Sequence, residues 1–253
     1  AAPRGPAERG AGRPPTLDPM ILYGRNPVRE ALRGPRTVSR LWATGSAARE
    51  PWLAQAGIAV DRAETGELTS LAATEEHQGV CAEVSEYAYA AADALLEPAD
   101  ALVLVLDEIQ DPQNLGALAR VAESAGATGL VISDRRSADV TPAVCKTSAG
   151  AVEHLAIARV GNVADYLEKA KSAGAWVYGA SADGGMRYDE PDYRGKVVLV
   201  VGSEGRGLRP RVAKTCDGLV RIPMRGKIDS LNVSTATAVL IYAVLQDRMQ
   251  NKG

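Results

Sequence analysis

Phenylalanine is absent from the 253-residue chain, and aromatic side chains together make up only 4% of it. Cysteine and histidine are scarce as well. Cys81, Cys145 and Cys216 are odd in number and more than sixty residues apart, which supports neither a disulfide framework nor a C-x-x-C metal site. With only His77 and His154 available, zinc ligation and a His-based catalytic triad are both disfavoured, and no metal is expected. Nor does any apolar run approach the ~18 residues that cross a bilayer. The longest patches are Val197–Val201 and Ala238–Val244. The first twenty residues are rich in Ala, Pro, Gly and Arg and lack the apolar segment of a signal peptide, so residues 1–19 read as a disordered tail. The resulting expectations are a cytoplasmic location and no membrane partner.

Strong net charge is missing too. Twenty-nine basic residues face 31 acidic ones, and the formal charge of −2 speaks against an indiscriminate polyanion binder. What the chain does have is arginine, which supplies 22 of the 29 basic residues. Guanidinium groups make planar, bidentate contacts to phosphate, although GC-rich coding would enrich Arg and Ala equally well. The apolar content of 46% and charged content of 24% are ordinary for a globular chain with a real core.

Residues 21–87 alternate short helical and strand patterns. Asn26-Pro27 is a suitable helix opening, with Asn as N-cap and Pro at the first helical position, and Gly34-Pro35 closes that helix. Arg25, Arg29 and Arg33 recur every four residues on one face, with Arg36 and Arg40 just beyond; the face is either solvated or a phosphate-tracking stripe. Val80–Val84 reads as a strand ending this unit. Residues 88–100 lack a strand pattern and contain a proline, which places a linker there. From Ala101 onward strands alternate with helices. Strands are expected at Leu102–Leu106, Gly129–Ser133, Leu155–Arg159, Trp176–Gly179, Val197–Val201 and Leu219–Ile222, and helices at Pro112–Ala125, Val163–Ser172 and Val233–Met249. Near-continuous apolar strands suit a mostly parallel sheet covered on both faces, so the fold class is α/β.

A nucleotide site on such a sheet would need a phosphate cradle. The loop Asp107-Glu-Ile-Gln-Asp-Pro-Gln-Asn-Leu-Gly116 lacks G-x-G-x-x-G, and Gly202-Ser-Glu-Gly-Arg-Gly207 lacks the ending of a P-loop. Three unusual segments remain. In Asp111-Pro-Gln-Asn-Leu-Gly-Ala-Leu-Ala-Arg120, Asp111 caps a helix whose buried stripe is Leu115, Leu118, Ala119 and Ala122. Arg120 lies off that stripe, one turn beyond Gly116. It either pairs with Glu123 on the surface or faces a bulky group for which the glycine leaves room. Val201-Gly-Ser-Glu-Gly-Arg-Gly-Leu208 puts three glycines at a strand's C-terminal end, where backbone can approach a ligand closely. In Ile222-Pro-Met-Arg-Gly-Lys-Ile-Asp-Ser-Leu-Asn-Val-Ser234, a polar loop feeds a long apolar helix, with Ser230 as a cap and Asn232 as a buried amide in need of partners.

These segments, in this order and spacing, resemble the three motifs of the SpoU/TrmH family of RNA ribose 2′-O-methyltransferases, of the SPOUT class. The motif cores are Asp-Pro-x-Asn-x-Gly-Ala with a downstream Arg, Gly-Ser-Glu-Gly-x-Gly-Leu, and Ile-Pro-Met-x-Gly-x-x-x-Ser-Leu-Asn-Val-Ser, and the similarity covers about residues 20–249. Tyr23-Gly-Arg-Asn-Pro-Val-Arg-Glu-Ala-Leu32 and His77-Gln-Gly-Val80 are similar to that family's substrate-binding domain, which resembles ribosomal protein L30e. The layout looks most like the 23S ribosomal RNA guanosine enzymes, with transfer RNA enzymes close by. A non-catalytic RNA-binding or ribosome-assembly factor of the same fold is the rival from another class.

The resemblance implies an L30e-like substrate-binding domain at 20–87, a methyltransferase domain at 101–253 with a C-terminal trefoil knot, and a homodimer with active sites near the subunit interface. S-adenosylmethionine would lie in the knot against Gly202, Ile222, Met224 and Leu231. Arg120 is the family's proposed base. Because Arg normally stays protonated, it could instead hold the neighbouring phosphate or the 2′-oxygen. Asn114 and Asn232 would position the ribose or the Arg, Glu204 would orient donors, and Ser230 is a further member. Structured RNA, ribosomal by preference, is the expected partner. Residues 194–227 carry nine basic against two acidic residues, so the overall charge hides a positive segment at the second and third motifs. Arg206 and Arg225 there join Arg25, Arg29 and Arg33 as candidate RNA contacts. Sparse aromatics favour readout through shape and phosphate.

Overall fold

The computed structural model describes residues 19–203 and 205–250. The tail expected at 1–19 lies almost wholly outside them, and so does Glu204. The first unit runs β1 (Met20–Tyr23), α1 (Arg25–Ala31), β2 (Val38–Ala43), α2 (Pro51–Ala54), β3 (Val60–Arg62), α3 (Thr65–Ala72) and β4 (Val80–Val84). Its four strands form a sheet in the order β1-β4-β2-β3, antiparallel except for the β2–β3 pair. The second unit runs β5 (Leu102–Asp107), α4 (Pro112–Ser124), β6 (Gly129–Ser133), α5 (Pro142–Thr147), β7 (Ile157–Val160), α6 (Val163–Ser172), β8 (Trp176–Ala180), β9 (Met186–Arg187), β10 (Val197–Gly202), α7 (Pro210–Thr215), β11 (Gly218–Arg221) and α8 (Val233–Gln250).

These last seven strands form one sheet, β7-β6-β5-β10-β8-β11-β9, with every pairing parallel. Alternation along β5 explains its two covered faces. Leu102, Leu104 and Leu106 turn toward the core shared with α4, α5 and α8, while Val103 and Val105 turn toward α6 and Val212 of α7. β10 lies between β5 and β8, so the chain reaches the far edge at β9, returns to β10 and crosses β8 again to β11. The expected knot requires such crossing connections.

Several local expectations are corrected. α1 opens at Arg25 after Gly24, whose φ of +94° suits glycine, and no side chain caps it; Asn26 instead accepts a hydrogen bond from Arg29. The third strand begins two residues later than expected, and the last ends at Arg221. Residues 88–100 are no free linker. Ala90 bridges Ala158, and Leu95 and Leu96, in a 3₁₀ turn at Ala92–Leu96, are buried against the α6 side of the sheet. α5, α7 and β9 are short elements that the sequence pattern did not reveal.

Arg36 departs most from its expected place. Rather than extending a solvated stripe, it is buried and forms a two-pronged ion pair with Glu153 of the second unit, with Nε to Oε2 at 2.9 Å. Glu30–His154 and a hydrogen bond from the Tyr87 hydroxyl to the Leu155 carbonyl join the units beside it. One continuous apolar core runs through both units.

Candidate active site at the ends of the parallel strands

The site is built where β5 and β10 end side by side, Asp107 opposite Gly202. Asp107 is fully buried, and it accepts hydrogen bonds from the Arg209 backbone N–H at 2.8 Å and from Arg209 Nε at 2.7 Å. This contact ties the chain beyond the glycine-rich loop back to the first strand. Within the loop, the Gly207 N–H donates to the Ser203 carbonyl at 2.9 Å, closing a tight turn. A Cβ on Gly202 would stand 2.2 Å from the Gly207 carbonyl carbon and oxygen, so only glycine fits. Gly205 and Gly207 have φ of +81° and +64°, and a Cβ on either would meet nothing within 4 Å. The loop is thus closed on its inner side and open on its outer side.

The third segment follows β11. Ile222 and Met224 are partly buried, and Leu231 and Ile228 are exposed. Partly buried apolar side chains and a glycine loop free of side-chain bulk suit a purine nucleoside, which needs apolar walls and a few backbone partners. The residues expected to hold S-adenosylmethionine therefore fit that group.

Asn232 is exposed rather than buried. Its Oδ1 accepts from the Ser234 N–H at 2.9 Å and the Ser234 hydroxyl at 2.6 Å, so Asn232, not Ser230, is the cap of α8. Its Nδ2 also donates to Asn114 Oδ1 at 3.5 Å, which joins the first and third motifs across 118 residues. Asn114 is on α4, which is capped as expected: Asp111 accepts from the Gln113 N–H at 3.0 Å and Pro112 starts the helix.

Among the described residues no hydrogen bond joins Arg120 to the Asn114–Asn232 pair. Helical spacing puts it on one stripe with Gln113 and Gly116, facing α5. Gly116 leaves no room for a ligand, since a Cβ there would lie 2.7 Å from Thr147 Cβ; it is glycine because α4 and α5 touch. Arg120 is exposed, and its ion pair with Glu123 is not made. Ser230, Arg206 and Arg225 are exposed as well. Charge elsewhere is partly spoken for: Arg25 pairs with Glu50, Arg29 and Arg33 share Glu30, and Arg194, Arg209 and Arg211 pair with Asp192, Asp107 and Asp165. Among the described residues no cluster of His, Cys, Asp or Glu could hold a metal ion, and no helix is long and apolar enough to cross a membrane.

Two functional features escaped sequence reading, the Asp107–Arg209 clamp and the α4–α5 contact. A signal for the first was present, because an aspartate directly after five apolar strand residues must find a buried partner.

Comparison with known proteins identifies the family. Residues 101–242 match the model of the SpoU rRNA methylase family, and residues 21–90 match that of RNA 2′-O ribose methyltransferase substrate binding. The chain belongs to the SpoU/TrmH family. It is an RNA 2′-O-ribose methyltransferase with S-adenosylmethionine as its methyl donor. A TrmH-family tRNA/rRNA methyltransferase of Bacillus subtilis is 39% identical, over 90% of this chain and 95% of the relative. The SpoU methyltransferase AviRb of Streptomyces viridochromogenes, solved with its cofactor AdoMet, aligns at TM-score 0.79 and 25% identity over 92% of each chain. An AdoMet-bound rRNA methyltransferase of Sinorhizobium meliloti aligns at 0.76 and 26%, over 90% of this chain and 87% of that one. By contrast, a protein solved to explain 2-OH methylation of C/U34 on tRNA aligns at 0.54 and covers 59% of this chain.

Proposed function

We propose that this enzyme methylates the ribose 2′-oxygen of a guanosine in 23S ribosomal RNA. The observation that carries the ribosomal assignment is the extent of the match. The aligned rRNA methyltransferase spans both units, whereas the tRNA enzyme covers little more than half of the chain. Residues 20–87 serve as the RNA-binding unit, 88–100 as its packed junction and 101–253 as the methyltransferase unit. The enzyme acts in the cytoplasm.

S-adenosylmethionine, when bound, supplies an electrophilic methyl group on a sulfonium centre. Transfer of that methyl to the 2′-oxygen would leave the C–S electron pair on the departing thioether, and the hydroxyl proton would pass to water. The chain's task is alignment and charge stabilisation. Gly202, Ile222, Met224 and Leu231 hold the nucleoside part of the donor through backbone and apolar contacts. Asn114 and Asn232, already joined, offer amide groups to the ribose. Arg120, with its guanidinium exposed, binds the adjacent phosphate or the 2′-oxygen as negative charge develops. Glu204 is assigned the role of orienting donors, with Ser230 as a further member of the set. A homodimer through the outward face of α8, where Tyr242 and Met249 are exposed, brings a second copy beside this site; light scattering that finds only monomer excludes it.

The test is transfer of radiolabelled methyl to purified 23S RNA, 16S RNA and bulk transfer RNA, followed by alkaline hydrolysis, which a 2′-O-methyl group blocks. Label is expected at a guanosine of 23S RNA. Arg120→Ala is expected to keep cofactor affinity and to lose turnover by ~10²-fold or more, the scale of a lost oxyanion or proton-transfer group. Label confined to transfer RNA overturns the ribosomal assignment, and near-normal turnover in the variant removes Arg120 from the chemistry.

A further inference from the structure

Lys146, near the end of α5, reaches from the methyltransferase unit onto the RNA-binding unit. Its Nζ donates to the Glu76 carbonyl at 2.9 Å and stands 5.9 Å from the centre of the Tyr23 ring. The Gly24 backbone and Gln78 Oε1 complete the surround. A Cβ on Gly24 would lie 2.6 Å from that Nζ and 3.2 Å from that Oε1, so glycine leaves the lysine its place. The side chain is half-buried, and burial lowers its pKa while the Glu76 charge opposes the change. Among the described residues no carboxylate oxygen comes within 4 Å of it. An ammonium has three N–H donors, and one of them goes to the Glu76 carbonyl.

The next residue connects this cation to the first motif. The Thr147 hydroxyl donates to Gln113 Oε1 at 3.0 Å, and Gln113 shares a helical stripe with Arg120. Two cations without carboxylate partners among the described residues, Lys146 and Arg120, therefore flank one polar contact between α5 and α4. The arginines of α1, by contrast, already have carboxylates.

We propose that Lys146 is a phosphate contact for substrate RNA at the seam between the two units, and that the RNA backbone passes from Lys146 over the Thr147–Gln113 contact toward Arg120. The proposal rests on RNA being the substrate. A lysine held by a carbonyl and an aromatic face loses little conformational freedom when a phosphate arrives.

Salt dependence of RNA binding separates this role from that of a mere tether between the units. Filter binding of 23S ribosomal RNA is measured across about 50 to 200 mM KCl for the wild type, Lys146→Met and Lys146→Arg. Each phosphate contact contributes ~0.7 to 0.9 to the slope of log K against log salt. Lys146→Met is expected to flatten the slope by that amount and to weaken binding about tenfold at 50 mM, the shift this slope gives relative to 1 M salt. Cofactor affinity stays at the wild-type value, the melting temperature falls by only a few degrees through loss of the Glu76 contact, and Lys146→Arg restores the slope. An unchanged slope in Lys146→Met, with or without lower affinity, overturns the proposal. Absence of salt-dependent RNA binding by the wild type overturns the reading on which it rests.

Discussion

Glu153 offers a sharp test of how the two units are held together. Its side chain is fully buried and that of Arg36 is 4% exposed, and the two meet through two parallel hydrogen bonds. Arg36 also donates to the Ser85 carbonyl at 3.3 Å and points a guanidinium nitrogen toward Cys145 Sγ. Burial by itself lowers the Arg36 pKa, and the hydrogen bond and charge of Glu153 together with the Cys145 sulfur outweigh it, so the net direction is upward. Glu153→Gln keeps the shape and removes the countercharge, which leaves the guanidinium buried and uncompensated. Removing one partner of a buried pair costs about 3 to 5 kcal/mol. At roughly 2 to 4 °C per kcal/mol for a chain of this size, the melting temperature should fall by ~6 to 20 °C. The double variant Arg36→Met/Glu153→Leu removes both charges and should recover most of the loss, because apolar replacement of a whole buried pair is often neutral or stabilising. Thermal and urea unfolding followed by circular dichroism measure both variants. A single variant within ~1 kcal/mol of wild type would refute the reasoning, since a loss that small means the charge is not desolvated.

Two further perturbations follow from the site and the core. Gly202→Ala places a methyl group into the Gly207 carbonyl, so it should abolish measurable cofactor binding by calorimetry and destabilise the fold by ~1 to 3 kcal/mol. Gly205→Ala meets no neighbour but strains a backbone held at φ +81°, so it should cost stability while retaining binding, and equal loss of binding in the two variants contradicts the packing account. Burial pushes the Cys81 thiol up to about 11 and the Cys145 and Cys216 thiols up to about 12, from an ordinary value of 9.0. Folded protein at pH 8 should therefore alkylate with iodoacetamide far more slowly than urea-unfolded protein. The folded state keeps protons that the unfolded chain releases, so these thiols favour folding fully below about pH 9, and that contribution falls as pH rises toward their folded values. Unfolding free energies that hold level between pH 9 and 11 would contradict it.

Much of the architecture could be read from local pattern. The Leu-Val alternation of β5 announced a strand covered on both faces, Asp111-Pro112 announced the start of α4, and both appear where expected. The short elements α5, α7 and β9 escaped because six residues or fewer carry too little periodicity to stand out. For the site, the three motifs could be found by spacing, whereas their contacts could not. Its position ahead of an apolar helix suggests burial for Asn232, but the buried face of that helix is Val233, Thr237, Leu240, Ile241 and Val244, and Asn232 falls off it into solvent.

The sequence by itself determined the class of fold, the strand-end positions of the motifs and the family, because each depends on residue type at short, regular spacing. Tertiary structure alone decided which charges remain free. Arg36 and Arg209 look like any other arginine along the chain, yet they meet Glu153 and Asp107 from 117 and 102 residues away. Lys146 and Arg120 meet no carboxylate among the described residues. Whether a cation is neutralised depends on what packing brings within a few ångströms of it, because Coulomb attraction in a partly dry interior is strong at contact and screened in water beyond.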